Sequence, residues 1–321
     1  MKKLVLRCLG AGVALLVLAV AGILVLVRSI DPPALAAGPL GPHRPTEFGF
    51  VGIRCGLDDP LDDTAKTDYV DEVAGFTNLA HVCVFENDVR GLLADLPEHG
   101  LRAVLDVNAL LFELVPGEAP SDSGRRMQLR PDAAERWARF VATNREVLDP
   151  RHVAAYYLAD EPVWNGVSTA DLTAAAALVE PATHGVATMV IEGYPALADA
   201  VFPPQVDWIG FDRYAVGDPS SDPQYLADLA AVRSRAHPGQ RIALILDSQW
   251  LSAYRWVGID AESMAVIARN YQLLASREPD VVALIGYTWP AGIDPEQLGA
   301  RDLPQEVKDT YVAIGRWVLG R

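Results

Sequence analysis

Eight short apolar runs, each followed by a polar or amphipathic stretch, divide this chain from Phe48 onward. They begin at Phe48 (FGFVGIRC), Leu79 (LAHVCVFEN), Leu101 (LRAVLDVN), Val153 (VAAYYLADEP), Val186 (VATMVIEGYP), Val206 (VDWIGFDRY), Arg241 (RIALILDSQW) and Val281 (VVALIGYTWP). Each is too short for a buried helix, and most are rich in Val and Ile. A strand covered on both faces has no wet side, so it reads as a near-continuous apolar run. Between the runs, residues 132–147, 168–178, 223–236 and 261–276 carry amphipathic helix spacing, and Ser168 with Asp171 predicts an N-cap for the second of these. Residues 196–201 scarcely support a helix, which makes the fifth unit thin. Eight strand–helix units over residues 47–321 predict an α/β fold, a (β/α)8 TIM barrel. A doubly wound sheet would want a G-x-G-x-x-G turn after its first strand, and none is there.

Residues 1–30 form a different segment. Lys2, Lys3 and Arg7 precede an uncharged run from Leu9 to Val27, closed by Arg28. Nineteen residues at about 1.5 Å each match the hydrocarbon thickness of a bilayer. The excess of basic residues before the run predicts a signal anchor with the barrel outside the cytoplasm, periplasmic or on the cell surface. Ala34-Leu35-Ala36 is a weak cleavage site, so a cleaved and secreted form is the alternative. Residues 31–46, rich in proline, predict a tether.

Half of the 321 residues are hydrophobic and 21% are charged, enough to bury a large core. The net charge is −15, and the first 30 residues hold four basic and no acidic side chains, so the barrel is more acidic still. Such a surface repels phosphates and excludes nucleic acid as a partner. Cys55 and Cys83 fall on the first two runs. Parallel neighbouring strands seldom offer disulfide geometry, so two buried free thiols are expected, with a bridge as the alternative.

Barrel chemistry sits at the carboxyl ends of the strands. Those ends offer Arg54, Glu86, Asp106 with Asn108, Asp160 with Glu161, Glu192 with Tyr194, Asp212 with Tyr214, Asp247 with Gln249 and Trp250, and Trp289. Carboxylates accept hydrogen bonds from hydroxyls and aromatic rings pack on the apolar faces of sugars, so this rim suits a polysaccharide or oligosaccharide. The six histidines show no H-x-H or H-E-x-x-H spacing, His81 reads as a core or shell residue, and neither a metal nor a cofactor is expected.

Tyr156-Tyr-Leu-Ala-Asp-Glu-Pro162 on the fourth run resembles the acid/base motif of the cellulase-like clan of retaining glycoside hydrolases. Trp208-Ile-Gly-Phe-Asp-Arg-Tyr214 resembles the clan's sixth strand, and Ile285-Gly-Tyr-Thr-Trp289 its eighth. The resemblance implies a glycosidase with Glu161 as general acid/base, a tyrosine supporting the nucleophile, and Trp289 as a sugar platform with Trp250 and Trp164 lining further subsites. It also implies a nucleophile on the seventh strand, where Asp247 stands in place of the clan's Glu; Asp212 and Glu192 are the other candidates. Asp160 replaces the clan's Asn before the acid, and Glu86, Asp106 and Asn108 would hold sugar hydroxyls. Without a second carboxyl near Glu161, the barrel would be an anchored glycan-binding protein. An acid-only metal enzyme acting on a polar polymer is a third reading.

Overall fold

A computed structural model describes residues 33–36 and 38–321. The expected anchor, residues 1–30, lies outside the described residues, among which no helix is long and apolar enough to cross a membrane.

Eight parallel strands close a barrel in chain order: β1 (Glu47–Arg54), β2 (Leu79–Cys83), β3 (Arg102–Asp106), β4 (Val153–Asp160), β5 (Ala187–Gly193), β6 (Trp208–Asp212), β7 (Arg241–Asp247) and β8 (Val281–Tyr287), which pairs with β1. Five longer helices cover it: α1 (Ala133–Asn144), α2 (Thr169–Val179), α3 (Pro223–Arg235), α4 (Met264–Arg277) and α5 (Gln305–Leu319). Ser168 Oγ accepts the Asp171 N–H at 3.0 Å, capping α2 as its sequence predicts. Between β5 and β6 only a 3-10 turn, Tyr194–Ala196, takes a helix's place. The run there offers no continuous apolar stripe to bury.

The period of two along each strand sorts side chains between two cores. Val104, Tyr157, Met189, Trp208, Ile245 and Ile285 fill the barrel, while their neighbours Leu105, Tyr156, Val190, Ile209, Leu244 and Leu284 face the helices. The same alternation decides which strand-end residues reach the mouth.

Cys55 and Cys83 are joined in a disulfide, against the expectation of two free thiols. The reason is local. The β1–β2 register shifts between Phe50 and Arg54, and this irregularity brings the two Cα atoms to 4.7 Å. At a sequence separation of 28, the cross-link should stabilise the fold by about 3–4 kcal/mol on the chain-entropy account. The Cys55→Ser/Cys83→Ser double variant should therefore unfold at lower denaturant than the parent, and an unchanged midpoint would show that the bridge adds nothing.

The proline-rich segment expected as a tether runs along the barrel wall. Asn270, buried on α4, donates to Ala34 O at 2.7 Å and accepts from Ala36 N at 3.0 Å. Gly41 N and His43 N bond Ser276, and His43 Nε2 lies 2.7 Å from Val281 O.

Candidate active site

A cavity of about 540 Å³ opens at the carboxyl ends of the strands. Strand alternation delivers Val51, His81, Asp106, Tyr157, Asp212, Ile245 and Tyr287 to it, Asp160 ends β4 there, and the segments beyond the strands add Asn108, Arg125, Glu161, Trp164, Gln249 and Tyr254 among others. Tyr214 and Tyr287 stack across one wall, centroids 5.4 Å apart.

Glu161 follows β4 directly. Its N–H donates to Ile191 O at 2.8 Å and its carbonyl accepts from Asn165 N at 2.8 Å, which pins the turn. The residue sits at φ +44°, a left-handed conformation that costs a non-glycine residue on the order of 1 kcal/mol and tends to mark functional sites. Its carboxyl crosses to the end of β5. A Cβ on Gly193 would lie 2.5 Å from Glu161 Oε1 and 3.2 Å from Asp212 Oδ1, so only glycine leaves room for the two acids to meet there. They do meet: Glu161 hydrogen-bonds to Asp212, which also accepts the Tyr214 hydroxyl at 3.3 Å. Burial first, then Asp212, Asp160 and Glu192, hold the Glu161 carboxyl well above the usual range, against the opposing charge of Arg125. Asp212 is raised less, by burial and by Asp160. Two acids this close and this buried cannot both ionise, so the pair holds a proton between them.

A second polar group faces them. Asp160 accepts a short hydrogen bond from Tyr157, and burial raises its carboxyl. His81 Nε2 stands 3.8 Å from Asp106, while Nδ1 accepts the Gly52 N–H at 3.2 Å. Cys55, His81 and Cys83 present donors within 4.8 Å of one another, but with the two sulfurs bonded to each other there is no thiolate to bind a metal.

Of the rim residues expected from sequence, Glu161, Asp106, Asn108, Asp160, Trp164, Asp212, Tyr214 and Gln249 line the cavity. Asp247 points inward as the strand count requires, yet it is covered. Its oxygens accept Ala215 N at 2.7 Å and Tyr254 OH at 3.0 Å, and it is 1% exposed. Glu192 falls on the outward parity of β5, where it accepts the N–H groups of Val163 and Trp164 and braces the loop after Glu161. Burial pushes both carboxyls up to about 7.

The remaining expectations are corrected by position. Arg54 points out of the barrel and is held by Asp68, Asp95 and Leu92 O. Trp289 turns outward, with its ring against Phe50 and Phe76 and its N–H on Glu72, so it is no platform in the cavity. Trp250 is buried, with its N–H on Ile259 O. Tyr194 is exposed beneath the Arg213 guanidinium, and Glu86 is exposed outside the cavity. Sequence reasoning missed Tyr157, Tyr254, Tyr287 and Arg125. The first and third were legible from parity alone, because Tyr157 follows Ala155 and Tyr287 follows Ile285 on the inward face.

Together these features define a (β/α)8 barrel with an acidic, tyrosine-walled mouth. No family model matches the chain, and no curated protein matches it in sequence. Among solved structures it is similar to a GH113 β-1,4-mannanase, with a TM-score of 0.54 and 12% identity over 84% of this chain and 99% of that one. It is also similar to an α-amylase from Geobacillus thermoleovorans (0.52, 11%, 87% and 80%) and to xylanase 10B from Thermotoga petrophila (0.51, 11%, 88% and 98%). At these identities the likeness is one of fold, the (β/α)8 barrel.

Proposed function

We propose that the protein is a glycoside hydrolase acting on a poly- or oligosaccharide outside the cytoplasm, with Glu161 as general acid/base and Asp212 as nucleophile. The observation that carries this reading is the Glu161–Asp212 pair: two buried acids that meet beside Gly193 in one cavity, with the Glu161 carboxyl raised the further. Glycoside cleavage needs two carboxyls, one to give a proton and one to attack. Glu161 gives its proton to the leaving oxygen as the sugar enters between the carboxyls. Asp212, steadied by the Tyr214 hydroxyl, attacks the anomeric carbon as its bond to the leaving oxygen breaks, and Glu161 then takes a proton from a water that attacks the same carbon and releases Asp212. Asp247 is not the attacking group in this scheme. It fixes Ala215, and with it the adjacent Tyr214, so it positions the nucleophile's support.

Tyr157, Trp164, Tyr214 and Tyr287 stand around the acids, with Arg125 the cation beside them, a largely aromatic wall suited to a hydroxyl-rich ligand. Activity of the full chain on a panel of polysaccharides and aryl glycosides tests the proposal. Proton NMR of the first product should show the anomeric configuration of the substrate kept. Inversion would remove the covalent step and leave Asp212 as a base. Binding of a glycan with no cleavage by any preparation would favour a glycan receptor instead.

A further inference from the structure

The described chain begins beside the catalytic side of the barrel. Pro33 Cγ lies 3.3 Å from the position a Cβ on Gly217 would take, in the loop that leaves the carboxyl end of β6. Asn270, midway along α4, bonds Ala34 and Ala36, and Ser276 and Val281, at the base of the barrel, bond Gly41 and His43. Traced toward the N-terminus, the segment climbs α4 from the base of the barrel toward its mouth. Only residues 28–32 separate Pro33 from the uncharged run Leu9–Val27. Five residues reach about 17 Å at full extension. Whatever holds that run therefore lies nearer the mouth than the base.

An independent feature marks the same face. Leu61, Phe85, Leu114, Tyr194, Trp256 and Ile293 are exposed, and they stand on the loops that follow β1, β2, β3, β5, β7 and β8. Trp256 is 83% exposed, two residues beyond Tyr254 in the cavity wall. The segments leading into the strands carry fewer such side chains among the described residues, Leu35 and Leu40 ahead of β1 and Val201 ahead of β6, and none is as exposed as Trp256 or Phe85. Single exposed apolar residues are ordinary. A ring of them around one opening, on the side where an apolar segment joins, marks a surface that meets lipid.

We propose that the mouth of the barrel docks on a lipid bilayer, and that the saccharide it cleaves is carried there on a membrane lipid. The second half rests on the glycosidase reading; the docking does not. With a net charge of −15, the surface it meets is uncharged or zwitterionic rather than anionic.

The test uses the full chain carrying Cys8→Ser in phosphatidylcholine nanodiscs, leaving the disulfide-bonded pair unreactive. A fluorophore is placed by Trp256→Cys at the mouth or by Glu98→Cys at the base. With doxyl-labelled phosphatidylcholine, the probe at 256 should lose about half its emission or more, and the probe at 98 should keep nearly all of it. Equal quenching, or stronger quenching at 98, would overturn the orientation. If neither probe is quenched while a soluble polysaccharide shifts the emission at 256, the apolar ring is a glycan track and the docking proposal fails. Because quenching needs no turnover, it stands or falls apart from the glycosidase reading.

Discussion

Replacing Glu161 with Gln, or Asp212 with Asn, is expected to lower kcat/KM on an unactivated glycoside by about 10³-fold or more, because each change removes one half of the acid–nucleophile pair. The two losses should differ in kind. A 2,4-dinitrophenyl glycoside needs no proton at its leaving oxygen, so Glu161→Gln should still form the glycosyl-enzyme quickly and then stall. Added azide should rescue that variant by attacking without general-base help. Asp212→Asn should not form the intermediate at all, and azide should return a product of opposite anomeric configuration. Asp247→Asn should keep activity within about tenfold of the parent, since its carboxyl contacts Ala215 N and Tyr254 OH rather than the cavity. Should Asp247→Asn be as damaging as Asp212→Asn, with azide rescuing the former, the nucleophile belongs to β7 as the sequence resemblance implies.

That contest shows what the sequence made legible. The eight apolar runs located every barrel strand, because burial on both faces leaves a mark that local composition records. They also located Glu161 and Asp212 at strand ends. The environment of each end was not local. Whether Asp247 meets substrate depends on Ala215, 32 residues away, and on Tyr254 folding back over it. Arg54 looks like a rim cation until Asp68, later in its own unit, and Asp95, from the next, close on it. Trp289 sits two residues after the inward-facing Tyr287, but the chain has left the strand by then and alternation no longer applies. Glu192 could have been set aside from sequence, since Ile191 before it shares the inward parity of Met189. The disulfide was hidden by a register shift that no propensity encodes.

The acid cluster also fixes how stability should vary with pH. Glu161, Asp212, Glu192 and Asp247 are all held above the ordinary carboxylate range, in each case chiefly by burial, and the last three reach about 7. In the unfolded chain these groups titrate near pH 4. Between about pH 4 and 7 the folded protein therefore binds more protons than the unfolded chain, and the unfolding free energy falls as pH rises. The contribution is fully present below the unfolded values and is lost as pH climbs through the folded ones. A shift of that size corresponds to a few kcal/mol per group at most, so the melting temperature should be higher at pH 5 than at pH 8 by on the order of 5–10 °C. Asp247→Asn makes the cleanest probe, because the amide cannot ionise. It leaves one of the two donors, Ala215 N–H or the Tyr254 hydroxyl, without an acceptor, so the variant should be less stable at pH 5 yet show a shallower decline toward pH 8. A parent whose melting temperature rises from pH 5 to pH 8 would mean that the four acids are already ionised in the fold, and the proton that Glu161 is to deliver would not be there.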